Sequence, residues 1–337
     1  MTLRVGVIGV GSMGRNHARV YSELPEAELV AVADADIDAA TSVAGRFGGR
    51  PYQDFTQLLD EENLDAVTVA VPTVDHLKVA LQVIERGIHL LIEKPIAFNV
   101  DEGKRIIEAA KDTGVKLMIG HIERFNPAVL ALKQELAEGE LGRVFQIDAR
   151  RQGPFPARIT DVGVVIDLAV HDLDVMRFIT SAEIVRVYAE TERRIHSSHE
   201  DLLTGLVRMD DETVGTLTIN WLTPTKIREL YVTGERGMFR VDYLTQDLYF
   251  YENAIASSAD WETLRMLRGV SEGRMIRYVV AKKEPLRIEQ EAFLAAIRGE
   301  NEVPVTGEDG LRVLELAHAL VTSGQEHRAI QFDSTEK

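Results

Sequence analysis

The sequence predicts an α/β fold: a doubly wound parallel N-terminal domain over residues 1–120, then an α+β domain over 121–337 built on a mainly antiparallel open sheet. Three observations carry that prediction. A glycine-rich turn, Gly9-Val10-Gly11-Ser12-Met13-Gly14, follows the apolar run 5–8 directly and opens a helical pattern. Short runs of Val, Ile and Leu at 5–8, 29–33, 66–71, 89–92 and 116–119 then alternate with helical patterns, as parallel strands buried on both faces do. After Gly120 the grammar changes to strands that alternate apolar and polar residues.

In the first turn, one glycine permits the tight bend, the next lets the backbone approach a pyrophosphate, and Gly14 permits close packing of helix on strand. The helix that Ser12 and Met13 begin presents free N–H groups to that phosphate. Asp34 ends the second run, about 20 residues after the last glycine, where an acid that binds a ribose is expected. Only Ala35 and Asp36 follow it, with no Arg to take a 2′-phosphate, so NAD is favoured over NADP as cofactor. Val79, Leu81, Val83 and Ile84 fit a crossover helix ended by Gly87, and Ile106, Ile107 and Ala110 fit another ended by Gly114.

Beyond Gly120, Asn126-Pro127 opens a helix through Leu136, and 143–151 reads as a strand stopped by Gly153-Pro154-Phe155-Pro156. A helical block spans 164–179. Strands follow at 184–190, 203–209, 214–221, 229–233, 238–243 and 248–251, with Gly234-Glu235-Arg236-Gly237 as a hairpin turn. In 214–221, Leu217, Ile219 and Trp221 alternate with Thr216, Thr218 and Asn220, so one face is apolar and the other is either solvated or an oligomer interface. The segment 252–283, rich in Arg and Lys and carrying Trp261, fits a lid or an arm onto a neighbour. Two helices close the chain near 289–298 and 308–322.

A chain of 337 residues accommodates two cores, and its 45% hydrophobic and 27% charged residues are ordinary for a globular protein. No apolar stretch approaches a membrane span and residues 1–20 lack a signal-peptide layout, so a cytoplasmic location is expected. Zero cysteines exclude disulfides, thiolate metal sites and cysteine nucleophiles. A net charge of -16 argues against nucleic-acid binding.

Lys94, in Leu90-Leu91-Ile92-Glu93-Lys94-Pro95, lies at the carboxyl end of a predicted parallel strand, where ligands of open α/β sheets bind. Asp167 and His171 stand four apart in a helical pattern, on one face, where a carboxylate can bias one imidazole tautomer. Oxidation of an alcohol needs the hydroxyl proton removed as hydride leaves carbon, a role suited to His171, while the Lys94 ammonium can stabilise alkoxide charge or relay the proton. Glu93 is placed to hold Lys94 or line the cofactor pocket. Taken singly, Lys94 also fits a solvated charge, and His171 with Asp172 and Asp174 also fits a surface helix or a metal cluster. His196, His199, Glu200 and Asp201 read as a solvated inter-strand loop, and His17, His89 and His318 as structural. No metal site is expected.

With Gly9 to Gly14, Val71-Pro72-Thr73-x-x-His76, Glu93-Lys94-Pro95 and Asp167-Leu168-Ala169-Val170-His171 in hand, the chain resembles the glucose-fructose oxidoreductase, inositol dehydrogenase and rhizopine-catabolism family over nearly its whole length. The resemblance implies a Rossmann domain, a second domain with an open antiparallel sheet, and a pyridine nucleotide between them. It further implies that Lys94 and His171 meet at the nicotinamide, often with a cis bond before Pro95, and that Thr73 and His76 lie near the nicotinamide ribose. It makes a homodimer or homotetramer through the C-terminal sheet the expected assembly.

The stretches 120–127, 151–156 and 220–226 look like the branch that oxidises nucleotide sugars, above all UDP-N-acetylglucosamine-type 3-dehydrogenases. Arg124, Arg151, Arg158 and Lys226, with Asn126, are the candidate substrate contacts, since guanidinium forks suit a diphosphate. Ordinary ion pairs with the many carboxylates explain the same residues. A dehydrogenase for a free pyranose or inositol, and a non-catalytic NAD(H)-binding sensor, are the alternatives.

Overall fold

The computed structural model describes residues 2–156, 162–254 and 271–332. It divides into two compact units, residues 1–125 with 284–315, and residues 126–283 with 316–337. None of the described helices is long and apolar enough to cross a membrane.

The first unit contains six parallel strands, β1 (Leu3–Ile8), β2 (Ala27–Ala33), β3 (Arg50–Tyr52), β4 (Ala66–Val69), β5 (His89–Glu93) and β6 (Leu117–Gly120), in the order β3-β2-β1-β4-β5-β6. The order reverses between β1 and β4, which creates a crevice at their carboxyl ends. Apolar runs became buried strands as expected: all four residues of β4 are inaccessible. The three-residue β3 is an edge strand, Arg-Pro-Tyr, too short to leave a periodic signal.

Turn and cap chemistry sets the crossover helices. Asp36 accepts from the Asp38 and Ala39 amides to open helix Ile37–Phe47, and Asn99 accepts from the Glu102 amide to open helix Val100–Thr113. Gly114, at φ 72°, ends the latter in the left-handed region that glycine enters without strain.

A single boundary at 120/121 does not describe the chain, because residues 284–315 return to the first unit. Phe293, Leu294, Val305 and Leu314 are buried in one apolar cluster with Ile92, Ile96 and Ile119. Helix Pro285–Ile297 therefore completes the first core, a long-range partnership that local periodicity cannot reveal.

The second unit is built on nine described strands: β7 (Val144–Pro154), β8 (Ile184–Glu192), β9 (Leu202–Met209), β10 (Val214–Asn220), β11 (Leu222–Gly234), β12 (Gly237–Asp242), β13 (Asp247–Ala254), β14 (Ser271–Arg277) and β15 (Ile330–Gln331). Their order is β14-β13-β12-β11-β7-β10-β9-β8-β15, antiparallel except for the parallel pair β7 and β10. Leu217 and Ile219 are fully buried while Thr216 and Thr218 are half-buried, as the alternation in β10 predicts. Gly234 pairs with Gly237 across a two-residue hairpin loop. Met176 of helix Val170–Thr180 lies against Gly215, where a Cβ would come within 3.0 Å of its sulfur. Of the proposed lid 252–283, residues 271–277 form β14, and 255–270, with Trp261, lie outside the described residues.

Candidate functional site

In the first unit the glycine turn has the shape its residues demand. Gly9 has φ 85°, and a Cβ there would sit 2.7 Å from the Ala70 carbonyl; a Cβ on Gly14 would fall 1.7 Å from the Gly9 oxygen. Gly11, which precedes helix Ser12–Glu23, has nothing within 4 Å of its would-be Cβ. That open space beside a helix N-terminus, with Ser12 exposed and Met13 half-buried, fits a pyrophosphate.

Asp34 follows β2 directly. Its Oδ2 accepts from the Val10 amide at 2.8 Å and its Oδ1 from the Asp36 amide at 3.0 Å, so the carboxylate is fixed beside the turn and each oxygen keeps a lone pair for a ribose hydroxyl. NAD(H) is expected to bind at least about tenfold tighter than NADP(H), because a 2′-phosphate would be repelled by this carboxylate and Ala35 and Asp36 directly after it offer no cation. Calorimetry with both cofactors checks it, and equal affinities would count against it. Because Asp34 also ties down Val10, the variant that shifts preference toward NADP is D34N with A35R, which keeps an acceptor for that amide.

Lys94 follows β5, and the Lys94–Pro95 bond is cis. His76 opens helix His76–Glu85 and is buried, with Nδ1 2.9 Å from the Pro95 carbonyl and Nε2 3.0 Å from the Val71 carbonyl. Burial depresses its basicity, so the neutral ring donates its one N–H to one of these carbonyls. His76 therefore pins the Pro95 turn to the end of β4, and Thr73, in the preceding turn Thr73–Asp75, is half-buried. Any part His76 has in cofactor binding passes through that placement.

Glu93 is buried beneath this turn. Its Oε1 accepts from His17 Nε2 at 2.8 Å and its Oε2 from the Lys94 amide at 3.2 Å. Burial opposes ionisation, yet the His17 hydrogen bond and the Lys94 charge and amide hold the carboxyl below its ordinary range. His17, read from sequence as structural, thus underlies the Glu93-Lys94-Pro95 turn. Its 76-residue separation from Glu93 gives no hint of that; only the tertiary hydrogen bond between the two does.

In the second unit, Asp167 lies in a widened turn, Val165–Ala169, and His171 is the second residue of the regular helix that follows. Both are half-buried. The widening alters the offset that a regular helix would give the pair, a local feature often found at functional sites. The start of the block is anchored by Glu200: its backbone carbonyl accepts from the Val164 amide at 2.9 Å and its side chain from the Val165 amide at 3.2 Å.

The loop at 196–201 is ordered rather than solvated. Asp201, fully buried, accepts from the Arg194, Ile195 and His196 amides; burial opposes its ionisation, but these bonds hold it below its ordinary value. His196 Nδ1 accepts from the Ser198 and His199 amides, and its ring stacks on Trp221. Side chain to backbone bonds, invisible as periodicity, organise it.

Three candidate substrate contacts have structural partners. Arg151 is 3% exposed and grips Asp172 with Nε at 2.8 Å and a terminal nitrogen at 3.1 Å. Buried Arg124 donates to the Pro304 carbonyl and to Asp309, each at 3.2 Å. Asn126 caps helix Pro127–Ala137 through the Ala128 amide and donates to the Tyr243 carbonyl. In each case an acidic or carbonyl partner distant in sequence takes the donor. Lys226 is exposed, at the register break between Leu222 and Ile227 of β11, and Arg158 lies outside the described residues.

Residues 3–121 match the model of an oxidoreductase family with an NAD-binding Rossmann fold, and residues 129–240 match the GFO/IDH/MocA C-terminal domain. Among curated proteins the chain is 31% identical to the UDP-N-acetylglucosamine 3-dehydrogenase of Acidithiobacillus ferrooxidans, over 94% of this chain and 95% of that one. It is 28% identical to an inositol 2-dehydrogenase of Rhizobium meliloti, over 98% of this chain and 100% of the relative. The solved structure of the Acidithiobacillus enzyme superposes with a TM-score of 0.85 at 30% identity, covering 97% of this chain and 98% of that one.

Proposed function

The chain belongs to the glucose-fructose oxidoreductase, inositol dehydrogenase and rhizopine-catabolism family of NAD-dependent oxidoreductases, and we propose that within it the protein oxidises C3 of a UDP-N-acetyl-hexosamine. The observation that carries this substrate is the 31% identity to a UDP-N-acetylglucosamine 3-dehydrogenase along almost the full length of both chains. Bound NAD supplies the hydride acceptor. Gly9, Gly11, Ser12, Met13 and Gly14 would hold its pyrophosphate, Asp34 its adenosine ribose, and Thr73, His76 and Glu93 the loops beside its nicotinamide half.

His171 takes the proton of the substrate hydroxyl, and Asp167 favours the imidazole tautomer that leaves the accepting nitrogen toward the substrate. Lys94 stabilises the oxygen as its charge grows and passes the proton onward. Arg124 and Arg151 are engaged by Asp309 and Asp172, so among the described candidates Lys226 is the one for a grip on diphosphate. Exposed Leu206, on the face of the second sheet opposite its buried residues, supports a homo-oligomer through that sheet, which light scattering of the purified protein tests.

A free inositol or pyranose is the second candidate substrate, favoured by the full-length identity to an inositol 2-dehydrogenase. The experiment compares NAD reduction with UDP-N-acetylglucosamine, N-acetylglucosamine, glucose and myo-inositol. The UDP-sugar is expected to react far faster than the same sugar without its nucleotide, because remote binding energy orients the C3 hydroxyl. Lys226→Ala should then raise KM for the UDP-sugar and leave the poor free-sugar rate unchanged. Strong turnover of myo-inositol with no response to a UDP-sugar would replace the nucleotide-sugar assignment with the polyol one.

A further inference from the structure

We propose that Glu289 and Glu93 form a buried carboxylic acid–carboxylate pair holding one proton at neutral pH, with Glu289 the protonated member and a positioning residue that acts on Lys94 through Glu93. Helix Pro285–Ile297 carries Glu289 and Gln290, both fully buried, into the first unit's core. One ligating atom each from His17, Glu93 and Glu289 lies within 4.8 Å of the others. Neither oxygen of Glu289 has a hydrogen-bond partner among the described residues. A buried carboxylate in that condition needs a cation or a proton.

The hydrogen bonds around His17 choose between the two. Gln290 Nε2 lies 2.9 Å from His17 Nδ1 and 3.2 Å from the His17 carbonyl. The carbonyl can only accept, so the amide nitrogen, with its two hydrogens, must occupy this position and donate to both. His17 Nδ1 is then an acceptor, and the ring hydrogen sits on Nε2, aimed at Glu93 Oε1. A nitrogen that carries that hydrogen does not ligate a metal.

A proton on Glu289 resolves the cluster without a cation. As an acid it carries an O–H that Glu93, with lone pairs beyond those used by His17 and the Lys94 amide, can accept after a small side-chain adjustment. Burial, and then the neighbouring Glu93 charge, both push the Glu289 carboxyl well above its ordinary range. Besides Glu93 and His17, Glu289 interacts with Tyr21 of helix Ser12–Glu23, which is itself buried, uncharged and hydrogen-bonded to Thr68. The pair thus carries a single negative charge, on Glu93, directly before Lys94. Ionisation of Glu289 at high pH would add a second.

Because the folded chain holds this proton more tightly than the unfolded one, the stability it contributes is complete below the unfolded value of about 4.3 and is lost as pH rises through the raised folded value. The decisive measurement is the infrared difference between wild type and E289Q at neutral pH, in H2O and D2O. A protonated carboxylic acid band that shifts on deuteration should be lost in the variant. A difference confined to carboxylate bands, or one divalent metal per chain in wild type that E289Q lacks, overturns the pair.

Thermal unfolding from about pH 5 to about pH 9 should show E289Q close to wild type at the acid end and increasingly more stable toward the alkaline end; a variant less stable throughout overturns it. The positioning role rests on Lys94 belonging to the proposed active site. It predicts that E289Q moves the alkaline limb of the kcat/KM profile while leaving the Kd for NAD in place, and an unmoved limb overturns it. Should Lys94→Ala turn over normally while the infrared band persists, the site assignment fails and the proton pair stands.

Discussion

Lys94→Ala and His171→Ala are each expected to lower kcat by about 10²-fold or more with the Kd for NAD nearly unchanged, as befits groups that move a proton or stabilise growing charge. That is a loss of roughly 2.7 kcal/mol of transition-state stabilisation from either side chain. Both residues are half-buried, so truncation to alanine leaves no large cavity and the folded population should hold. Asp167→Asn, which keeps the shape and removes the charge, should have a smaller effect, seen mainly in the pH profile. Turnover at the wild-type rate in both alanine variants would show the site to be misassigned. The measurement is steady-state NAD reduction beside cofactor titration on the same preparations.

Arg151→Ala is expected to destabilise the fold by about 3–5 kcal/mol, because it strips Asp172 of a guanidinium that faces it in the protein interior. The pair is bidentate, and the two residues are 3% and 1% exposed, so solvent screening relieves little of the cost. Replacing both partners together, R151M with D172L, should recover most of the stability, since the desolvation of both charges is then avoided. Denaturant melts of the two variants beside wild type test this. A grip of Arg151 on substrate predicts the opposite outcome: a stable single variant with a raised KM for the UDP-sugar.

The contrast between Lys94 and Arg151 shows where the chain is legible. Gly9, Gly11 and Gly14 declare the turn because each is required by local geometry: a positive φ, an open approach, and a backbone oxygen that would lie 1.7 Å from any Cβ. The parallel strands declare themselves through short apolar runs bounded by polar turns, and Asn99, Asn126 and Gly114 mark helix ends by their own chemistry. Arg151 and Arg124 carry no such mark. Their charge fits a diphosphate and an internal carboxylate equally well, and the partners that decide the matter, Asp172 and Asp309, are 21 and 185 residues away.

From its sequence alone the chain fixes its fold class, its nucleotide turn, the acid at Asp34, and the order of Lys94 and the Asp167–His171 pair, since all are set by interactions within a few residues or by a repeating pattern. Tertiary structure alone decided that residues 284–315 return to the first unit, that Arg124, Asn126 and Arg151 spend their donors inside the protein, and that His17, Glu93 and Glu289 share one buried cluster. The physical reason is common to all of these: burial turns a charge or a donor from a solvated group into one that must find its complement, and which complement lies close is set by the packing of distant segments.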